Sequence, residues 1–500
     1  MRTKKALYNM SSSLILQFVT IISGFVLPRL IIGTFGSETN GLIASISQFL
    51  GYIALIESGV GGVTRAALYK PLTSKTIDEV SGVLKAAEIF FKKIAFIFLV
   101  YAFLIAVFFK EISDSNFDWM FVFTLVIIIS ITTFAKYYFG VVYSILLQAD
   151  QKKYISANIN TITLILNTIF ISILIVIGLP IHIVKLTSVL ILTMRPLLLN
   201  WYVKRHYNID KKALPNHSAL KQKWDGLGHH IAYFLRANTA VMTLTVFATL
   251  KEVSVYSVHA MVAVGIRQLT TIFSNSLGAA LGNMLANDEE EVLSKSFNAF
   301  EFMIHFMTVT IFTTAGLVIV PFISLYTRGI TDINYVRPYF AYVFLLSEAI
   351  YCLRSPYNAI VFAAGHFKQT KRAAYIEAFF SVVLSIILIQ FWGLLGLAIA
   401  MSLVMIYRIV DFALYLSRNI LKRKMIFFIR RQIISTVNVV AIVIVILTLL
   451  PNVYFTSYLN FFTYGTLILV ISTIITTVFS MVFYSSELKN LFSKLKNLKN

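Results

Sequence analysis

Residues Leu27–Leu72 read LPRLIIGTFGSETNGLIASISQFLGYIALIESGVGGVTRAALYKPL: the end of one apolar helix, a short polar turn and a second long apolar helix. Three ionisable residues, Arg29, Glu57 and Arg65, interrupt these otherwise apolar helices. A charge at the centre of a bilayer costs about 2.5–3.5 kcal/mol on insertion scales. The three residues therefore predict an interior that contains water or ion pairs, and we expect the rest of the chain to be organised around this hairpin.

The composition indicates an integral membrane protein. The chain is 58% hydrophobic and only 13% charged, whereas about a quarter of the residues of a soluble protein are charged. Most of the surface must therefore face lipid. Cys352 is the only cysteine, which excludes a disulfide framework and a cysteine-based metal site.

The apolar stretches predict fourteen membrane-spanning helices. The hydrocarbon core of a bilayer is about 30 Å thick and requires about 20 apolar residues per helix. Because irregular backbone cannot face lipid, the fold class that follows is an all-α membrane bundle. The stretches lie at 10–33, 42–66, 88–109, 118–145, 156–178, 180–203, 229–250, 255–284, 298–323, 339–363, 372–392, 394–417, 434–454 and 459–484.

The distribution of Lys and Arg predicts the orientation. With the N-terminus in the cytoplasm, inner segments receive 31 of the 43 Lys and Arg residues and outer loops receive four. This asymmetry places both termini in the cytoplasm. It also accounts for the net charge of +21, so we expect no nucleic-acid partner. The basic tail at 487–500 is expected to lie on the anionic inner leaflet.

Two pairs of similar segments predict an internal repeat. Leu147–Lys153 resembles Ala363–Gln369, and Phe35–Leu42 with the Gly-rich helix after it resembles Leu250–Tyr256 with the helix after it. The offset is about 215 residues in each case, as expected for parallel repeats of a transporter. The predicted division is an N-lobe of six helices at 1–210, a linker at 211–228, a C-lobe of six helices at 229–425, and two further helices with a basic tail at 426–500.

The motif FGSETNG, followed by a helix that ends in ESGVGGVTRAALYKPL, resembles the polysaccharide-transport branch of the multidrug/oligosaccharidyl-lipid/polysaccharide (MOP) exporter superfamily. The topology resembles the lipid II flippases of that superfamily. The resemblance implies a flippase of the bacterial cytoplasmic membrane that moves undecaprenyl-diphosphate-linked sugars outward by alternating access. Capsule, exopolysaccharide or a related polymer would be the product. A polymerase and glycosyltransferases are the implied further partners.

Basic residues inside the predicted spans predict a basic cavity. There are eight of them, and fewer acidic residues are available to pair with them. Arginine presents a planar fork of donors that suits phosphate oxygens. Arg29, Arg236 and Arg267 are the first candidates for binding a diphosphate, because each lies in a helix that opens its lobe. The wider candidate set adds Lys136, Arg354, Arg65, Arg195 and Arg408.

Several of these residues have a structural alternative. Arg65 lies at the inner mouth of its helix, where basic residues are common. Arg408 is three residues before Asp411, a spacing that suits a local ion pair as well as contact with substrate. Glu57 can be a partner of Arg29 or Arg65, or a protonatable coupling site. The carboxylates predicted to pair or to couple transport are Glu57, Glu348, Glu377 and Asp411.

A flexible segment is predicted within the opening hairpin. Proline breaks a helix by removing a hydrogen bond, and small residues allow either close helix packing or a bend. Both interpretations stay open for the glycines. The candidate hinge residues are Pro28, Gly59, Gly61 and Gly62.

Other functions are weighed against the flippase. The sequence contains no P-loop, nucleophile motif or metal-ligand spacing, so we expect neither a cofactor nor enzymatic activity. A multidrug antiporter of the same superfamily is the first alternative, but its cavity should be acidic. An oligosaccharide polymerase is the second, but it needs a large outer loop, and every predicted outer loop here is short.

Overall fold

Two units make up the chain, Met1–Val255 and Tyr256–Asn500. A computed structural model describes the residues except 1, 58, 75, 211, 221–226, 287–289, 451–454 and 489–500. The side chains at 2–4, 6, 227–230, 232–233, 236–237, 272–286 and 290–291 also lie outside the description. Every regular element in the described residues is helical, as the apolar composition predicts.

The described residues of the first unit form nine α-helices and the beginning of a tenth. A π-helical segment, Lys136–Gly140, joins two of them, and a short 3-10 helix, His217–Leu220, lies in the polar linker. The helices are α1 Arg2–Gly51, α2 Ala54–Glu57, α3 Val60–Ser74, α4 Ile77–Ser113, α5 Trp119–Ala135, α6 Val141–Ala149, α7 Lys153–Val176, α8 Ile181–His206, α9 Leu227–Phe247 and α10 Leu250–Ala286.

The first predicted turn is a break at one residue. Gly36 has φ 85° and ψ 166°, a conformation that favours glycine, and the residues on both sides of it are helical. The expected helix break at Pro28 is wrong, because the backbone stays helical there and departs from helical geometry only at Gly36. Proline removes one backbone hydrogen bond, a loss that a membrane helix tolerates when it packs against neighbours.

The polar residues that follow this break hold the second half of α1 in place. The Asn40 amide donates to the Ser254 hydroxyl at 2.8 Å, at the start of α10. A Cβ added at Gly41 would lie 1.7 Å from the carbonyl oxygen of Leu250, so only glycine permits this approach. The Glu38 carboxylate accepts from the backbone and side chain of Asn116 at 3.3 and 3.1 Å. These residues of the FGSETNG motif therefore have packing roles.

The second predicted span is interrupted. The helical run from Gly36 ends at Gly51, continues briefly as α2 and resumes as α3. Gly59 lies between α2 and α3 with φ 94°, whereas Gly61 and Gly62 are helical within α3. Among the candidate hinge glycines, the irregular backbone is therefore at Gly59.

The described residues of the second unit form the rest of α10 and five further helices. One of them, α13, is interrupted at Gly393, where φ is 55° and ψ is −134°. This break falls where the sequence predicts two abutting spans. The helices are α11 Glu290–Tyr326, α12 Pro338–Ala363, α13 Phe367–Asn419, α14 Ile426–Leu449 and α15 Tyr458–Phe483.

Two turns of the chain have the same hydrogen bonds. The backbone N–H of Lys152 donates to the Leu147 carbonyl at 2.7 Å, and the N–H of His366 donates to the Val361 carbonyl at 3.1 Å. Donor and acceptor are both displaced by 214 residues, which pairs Leu147 with Val361 and shifts the predicted pairing of Leu147 with Ala363 by two residues. The residue with positive φ is displaced equally, from Gln151 (56°) to Gly365 (72°). This agreement supports the predicted repeat at the turns that the sequence singles out.

The helices identify a multi-pass membrane protein. Nine segments within the described residues are long and apolar enough to cross a bilayer. Two of them, Leu7–Glu57 and Phe367–Asn419, exceed 50 residues and contain the breaks at Gly36 and Gly393. The count of fourteen crossings and the position of the termini stay predictions.

The boundary between the two units differs from the predicted lobe boundary. The predicted C-lobe begins at residue 229, whereas the first unit extends to Val255. Helix α9 belongs to this unit because it packs against α1, α2 and α4. The lobe assignment from the repeat stays a prediction.

Candidate functional site

A buried carboxylate connects two predicted site arginines in the second unit. Glu377 of α13 contacts the Arg354 guanidinium of α12 at 3.0 Å through Oε1, and the Arg408 Nε at 2.9 Å through Oε2. The predicted local pair is also present, since Arg408 Nη1 donates to Asp411 Oδ2 at 2.7 Å. The Arg408 side chain is only 2% exposed. Four predicted site residues therefore form one continuous network.

A second ion pair extends the network to α10. Arg267 donates to the Glu348 carboxylate at 2.7 Å. The Tyr351 ring lies between the two groups of charges, with its centroid 5.0 Å from the Arg267 guanidinium carbon and 4.8 Å from that of Arg354. Such cation–π contacts are favourable within about 6 Å. The network thus joins helices α10, α12 and α13.

Charge is balanced in this network. It contains three arginines and three carboxylates that form ion pairs: Arg267 with Glu348, Arg354 and Arg408 with Glu377, and Arg408 with Asp411. A buried ion pair is costly to break, because removing one partner leaves the other charge buried and uncompensated. As placed, these arginines are held by protein carboxylates.

The predicted basic and acidic residues of the first unit meet at the π-helical segment. Glu57 ends α2, and its Oε2 lies 3.8 Å from Lys136 Nζ and accepts a hydrogen bond from the Tyr137 hydroxyl at 2.7 Å. Lys136 and Tyr137 are the first two residues of that segment. Short π-helical segments are frequent at functional sites. This cluster connects the irregular backbone at Gly59 to a second irregular backbone segment.

Two arginines of the first unit contact neutral groups. The Arg195 Nε donates to the Thr163 hydroxyl at 2.7 Å, and the Arg65 guanidinium donates to the Gln148 amide oxygen at 3.2 Å. Neither has an acidic partner among the described residues. Their charges are therefore not balanced by a carboxylate within that part of the chain.

The two remaining predicted arginines are Arg29 and Arg236, and the structure describes the side chain of Arg29 only. A Cβ added at Gly33 would lie 3.0 Å from Arg29 Nη1, so this guanidinium lies beside Gly33, one turn along its own helix. Arg236 lies on α9, and its side chain is outside the described residues. The structure therefore brings Glu57 to Lys136, and Arg267, Arg354 and Arg408 to carboxylates, while Arg29, Arg65 and Arg195 lie at separate positions.

A third cluster surrounds Glu301, which is not among the predicted site residues. This carboxylate is 1% exposed, contacts Arg423 at 2.9 Å and Arg431 at 3.4 Å, and accepts from the Tyr357 hydroxyl. The isolated acid within the apolar stretch 298–323 is the available signal. Its partners resemble ordinary inner-loop basic residues.

Several carboxylates in the described part of the chain form ion pairs with lysine or arginine. No group of three or more His, Cys, Asp or Glu that could hold a metal ion occurs among those residues. His305, four residues after Glu301, contacts the Ser435 hydroxyl at 2.8 Å.

Solved structures provide the comparison with known proteins. No protein-family model matches the sequence, and no curated protein matches it significantly. The lipid II flippase MurJ in an inward closed conformation is similar with a TM-score of 0.70 and 16% identity, over 95% of this chain and 98% of that chain.

Multidrug transporters are similar over less of the chain. The MATE multidrug transporter DinF-BH has a TM-score of 0.60 and 13% identity, over 82% of this chain and 95% of its own. A mutant of the Vibrio cholerae MATE transporter VcmN has a TM-score of 0.59 and 15% identity, over 85% and 99%. The fold is therefore that of a MurJ- or MATE-like membrane transporter. Another similar structure is an inward-facing multidrug resistance MATE family transporter of the MOP superfamily, with a TM-score of 0.57 and 14% identity, over 83% of this chain and 98% of that chain.

Proposed function

We propose that the chain is a flippase that moves undecaprenyl-diphosphate-linked oligosaccharides from the inner to the outer leaflet of the bacterial cytoplasmic membrane. The observation that carries the proposal is the similarity to a lipid II flippase over nearly the whole of both chains. The similarity to multidrug transporters is lower in TM-score and leaves more of this chain unmatched. The cargo would serve synthesis of capsule, exopolysaccharide or a related polymer.

The proposed topology has fourteen crossings with both termini in the cytoplasm. The nine apolar segments become eleven when the two longest are divided at Gly36 and Gly393. Helices α9, α10 and α12 supply the other three. The positive-inside asymmetry of the loops supports the orientation.

The proposed diphosphate site uses the basic residues of the spans. We expect the diphosphate to bind first to three arginines of the first unit, Arg29, Arg65 and Arg195. Arg65 and Arg195 contact neutral acceptors, so no carboxylate among those contacts compensates their charge. Arg236 remains a candidate. The proposed set is completed by four residues that would each exchange a carboxylate for phosphate: Lys136, Arg267, Arg354 and Arg408.

We propose that transport is coupled to proton movement at the carboxylates that pair with these basic residues. Protonation of Glu57, Glu348 or Glu377 would release a cation for the cargo, and return of the carboxylate charge would expel the phosphate. The Glu57 contact with Tyr137 lies next to the irregular backbone at Gly59. We therefore propose Gly59 as the bend that changes during alternating access.

The test is translocation of a labelled undecaprenyl-diphosphate oligosaccharide in proteoliposomes. Changing Arg29, Arg65 and Arg195 together to alanine should abolish translocation. The matched control changes three basic residues of the predicted outer loops, Lys110, Arg328 and Arg337, and should retain it. Thermal midpoints of both variants exclude unfolding as the cause. Full activity of the first variant would refute the site, and a wild type that moves no lipid-linked sugar would refute the function.

A multidrug antiporter is the second candidate, and the MATE neighbours favour it. Efflux of a cationic dye from cells or proteoliposomes would then depend on an acidic residue that can release its proton. We expect no such efflux, because a cavity that binds organic cations should be acidic, whereas basic residues outnumber acidic ones inside the predicted spans.

A further inference from the structure

A cavity of about 430 Å³ lies within the first unit. Its walls come from the beginning of α4, the π-helical segment, the beginning of α6 and the end of α8. The loops that adjoin these helix ends carry the basic residues that mark the cytoplasmic side. The volume is within the range of small-molecule sites. The described residues that line it include none of the proposed diphosphate site.

Basic side chains dominate the charge of the cavity. Lys85, Lys92 and Lys204 line it, with Glu88 and Asp210 as the acidic residues. Glu88 is engaged by both of its lysine neighbours, at 2.6 Å from Lys92 and 3.7 Å from Lys85. Lys204 is exposed and has no acidic partner in the described part of the chain. One net positive charge is therefore left for an anion.

A polar group in the same wall lacks a hydrogen-bond partner. The amide oxygen of Asn200, which lines the cavity, is buried and accepts no hydrogen bond from the described residues. Leaving a buried acceptor without a hydrogen bond is unfavourable. A ligand with a hydroxyl or ammonium donor would remove that cost.

We propose that this cavity binds a phosphate ester that carries hydroxyl or amine donors. The lysines take the phosphate and Asn200 accepts from the donor. Basic pockets between helices on the cytoplasmic side of membrane proteins bind phospholipid headgroups. The same chemistry is offered by a lipid such as phosphatidylglycerol and by a soluble ester such as glycerol phosphate, and the experiment separates them.

The test compares neighbouring lysine and arginine residues inside and outside the cavity. Lys92→Gln and Lys204→Gln remove charges that line it, whereas Lys93→Gln and Arg205→Gln remove exposed charges beside them on the same helices. Purified wild type and variants are placed in nanodiscs of phosphatidylcholine with or without phosphatidylglycerol, and binding is measured by native mass spectrometry. Each lining variant should weaken phosphatidylglycerol binding about fivefold, and each control should change it little.

A second arm uses detergent-solubilised protein with glycerol 1-phosphate or inorganic phosphate as the probe. Binding of glycerol 1-phosphate that shows the same variant pattern identifies a soluble ester as a ligand, and its absence beside lipid binding identifies the headgroup. Asn200→Leu should weaken binding of the ester and leave inorganic phosphate unaffected. Equal losses in lining and control variants, or no binding of any probe, would overturn the proposal.

Discussion

Arg195 of α8 and Arg408 of α13 occupy equivalent positions of the predicted repeat but contact different groups. Arg195 Nε donates to the Thr163 hydroxyl at 2.7 Å, whereas Arg408 Nε lies 2.9 Å from the Glu377 carboxylate. Thr163 and Glu377 are themselves separated by the repeat offset. The same nitrogen of the same residue type therefore meets a neutral partner in one unit and an anion in the other.

Arginines at equivalent positions of the predicted repeat are therefore held by different kinds of partner. In the second unit the charge is balanced by carboxylates, so the arginine stabilises helix packing. In the first unit a hydroxyl orients the guanidinium without balancing its charge. An incoming anion would thus gain more from the arginine of the first unit.

The largest effect is expected from Glu377→Thr, which copies Thr163 into the second unit. Arg354 and Arg408 would lose their shared carboxylate, and breaking a buried pair costs about 3–5 kcal/mol. Thermal or denaturant unfolding in detergent micelles measures the loss. Thr163→Ala is the matched control and should cost about 1.5 kcal/mol, for one hydrogen bond to a charged group. Equal stability of the two variants would remove the distinction between the units.

The reverse exchange, Thr163→Glu, should impair transport more than stability. The new carboxylate would neutralise Arg195 and repel a diphosphate. We expect at least a tenfold lower translocation rate, equivalent to about 1.4 kcal/mol, with the fold intact. Thr163→Gln, similar in size but neutral, serves as the control and should retain most activity. If both variants transport equally, the charge of Arg195 is irrelevant to the cargo.

A smaller effect is expected at the π-helical segment. Tyr137→Phe removes the hydrogen bond to Glu57 and should cost about 1 kcal/mol, at the low end for a charged acceptor, because the carboxylate is 24% exposed and water can replace the phenol. Tyr138→Phe, at the next position, is the control and should be neutral. Unfolding midpoints measured in parallel distinguish them, and an unchanged midpoint for Tyr137→Phe would contradict the proposed link.

The smallest effect on stability is expected from Asp150, in the turn after α6. Burial works to raise the pKa of Asp150, but hydrogen bonds from Lys152 and Tyr207 and the charges of Lys152 and Lys5 outweigh it, so the pKa lies below its ordinary value of 3.8. The equivalent position of the second turn is Ala364, which cannot titrate. Asp150 thus contributes stability above pH 3.8, and the contribution is lost as the pH falls through the lower pKa of the folded state.

Asp150→Asn should therefore lower stability by under about 1 kcal/mol at neutral pH and by nothing in strong acid. Unfolding of wild type and variant between pH 7 and pH 2 measures this convergence. Ala364→Asn provides the control and should show a difference from wild type that does not vary with pH. A gap for Asp150→Asn that stays constant with pH would show that its charge contributes nothing.

The length and apolar character of the stretches are sufficient to predict an all-helical fold, because lipid leaves few alternatives for the backbone, but not the interruption of the second span between α1 and α3. Each predicted span overlaps a helix, and the repeat offset anticipates the matching turns. The partners of the arginines are less predictable. Glu377 meets Arg354 on another helix and Arg408 beyond the Gly393 break of its own helix, and only tertiary packing decides which carboxylate meets which cation. The pairing of Glu57 with Lys136 depends likewise on a π-helical segment that the local sequence does not indicate.

The ion pairs of Glu301 have a consequence for insertion of the growing chain into the membrane, because Glu301 is synthesised before its partners. Its partner Arg423 follows 122 residues later in the chain, and Arg431 follows later still. At about 5–20 residues per second, a ribosome delivers Arg423 roughly 6–24 s after the acid. During that interval the nascent helix α11 carries an uncompensated carboxylate, which is unfavourable in lipid. We expect α11 to be sheltered by the insertion machinery until α14 emerges, so a chain truncated before residue 423 should be recognised and degraded.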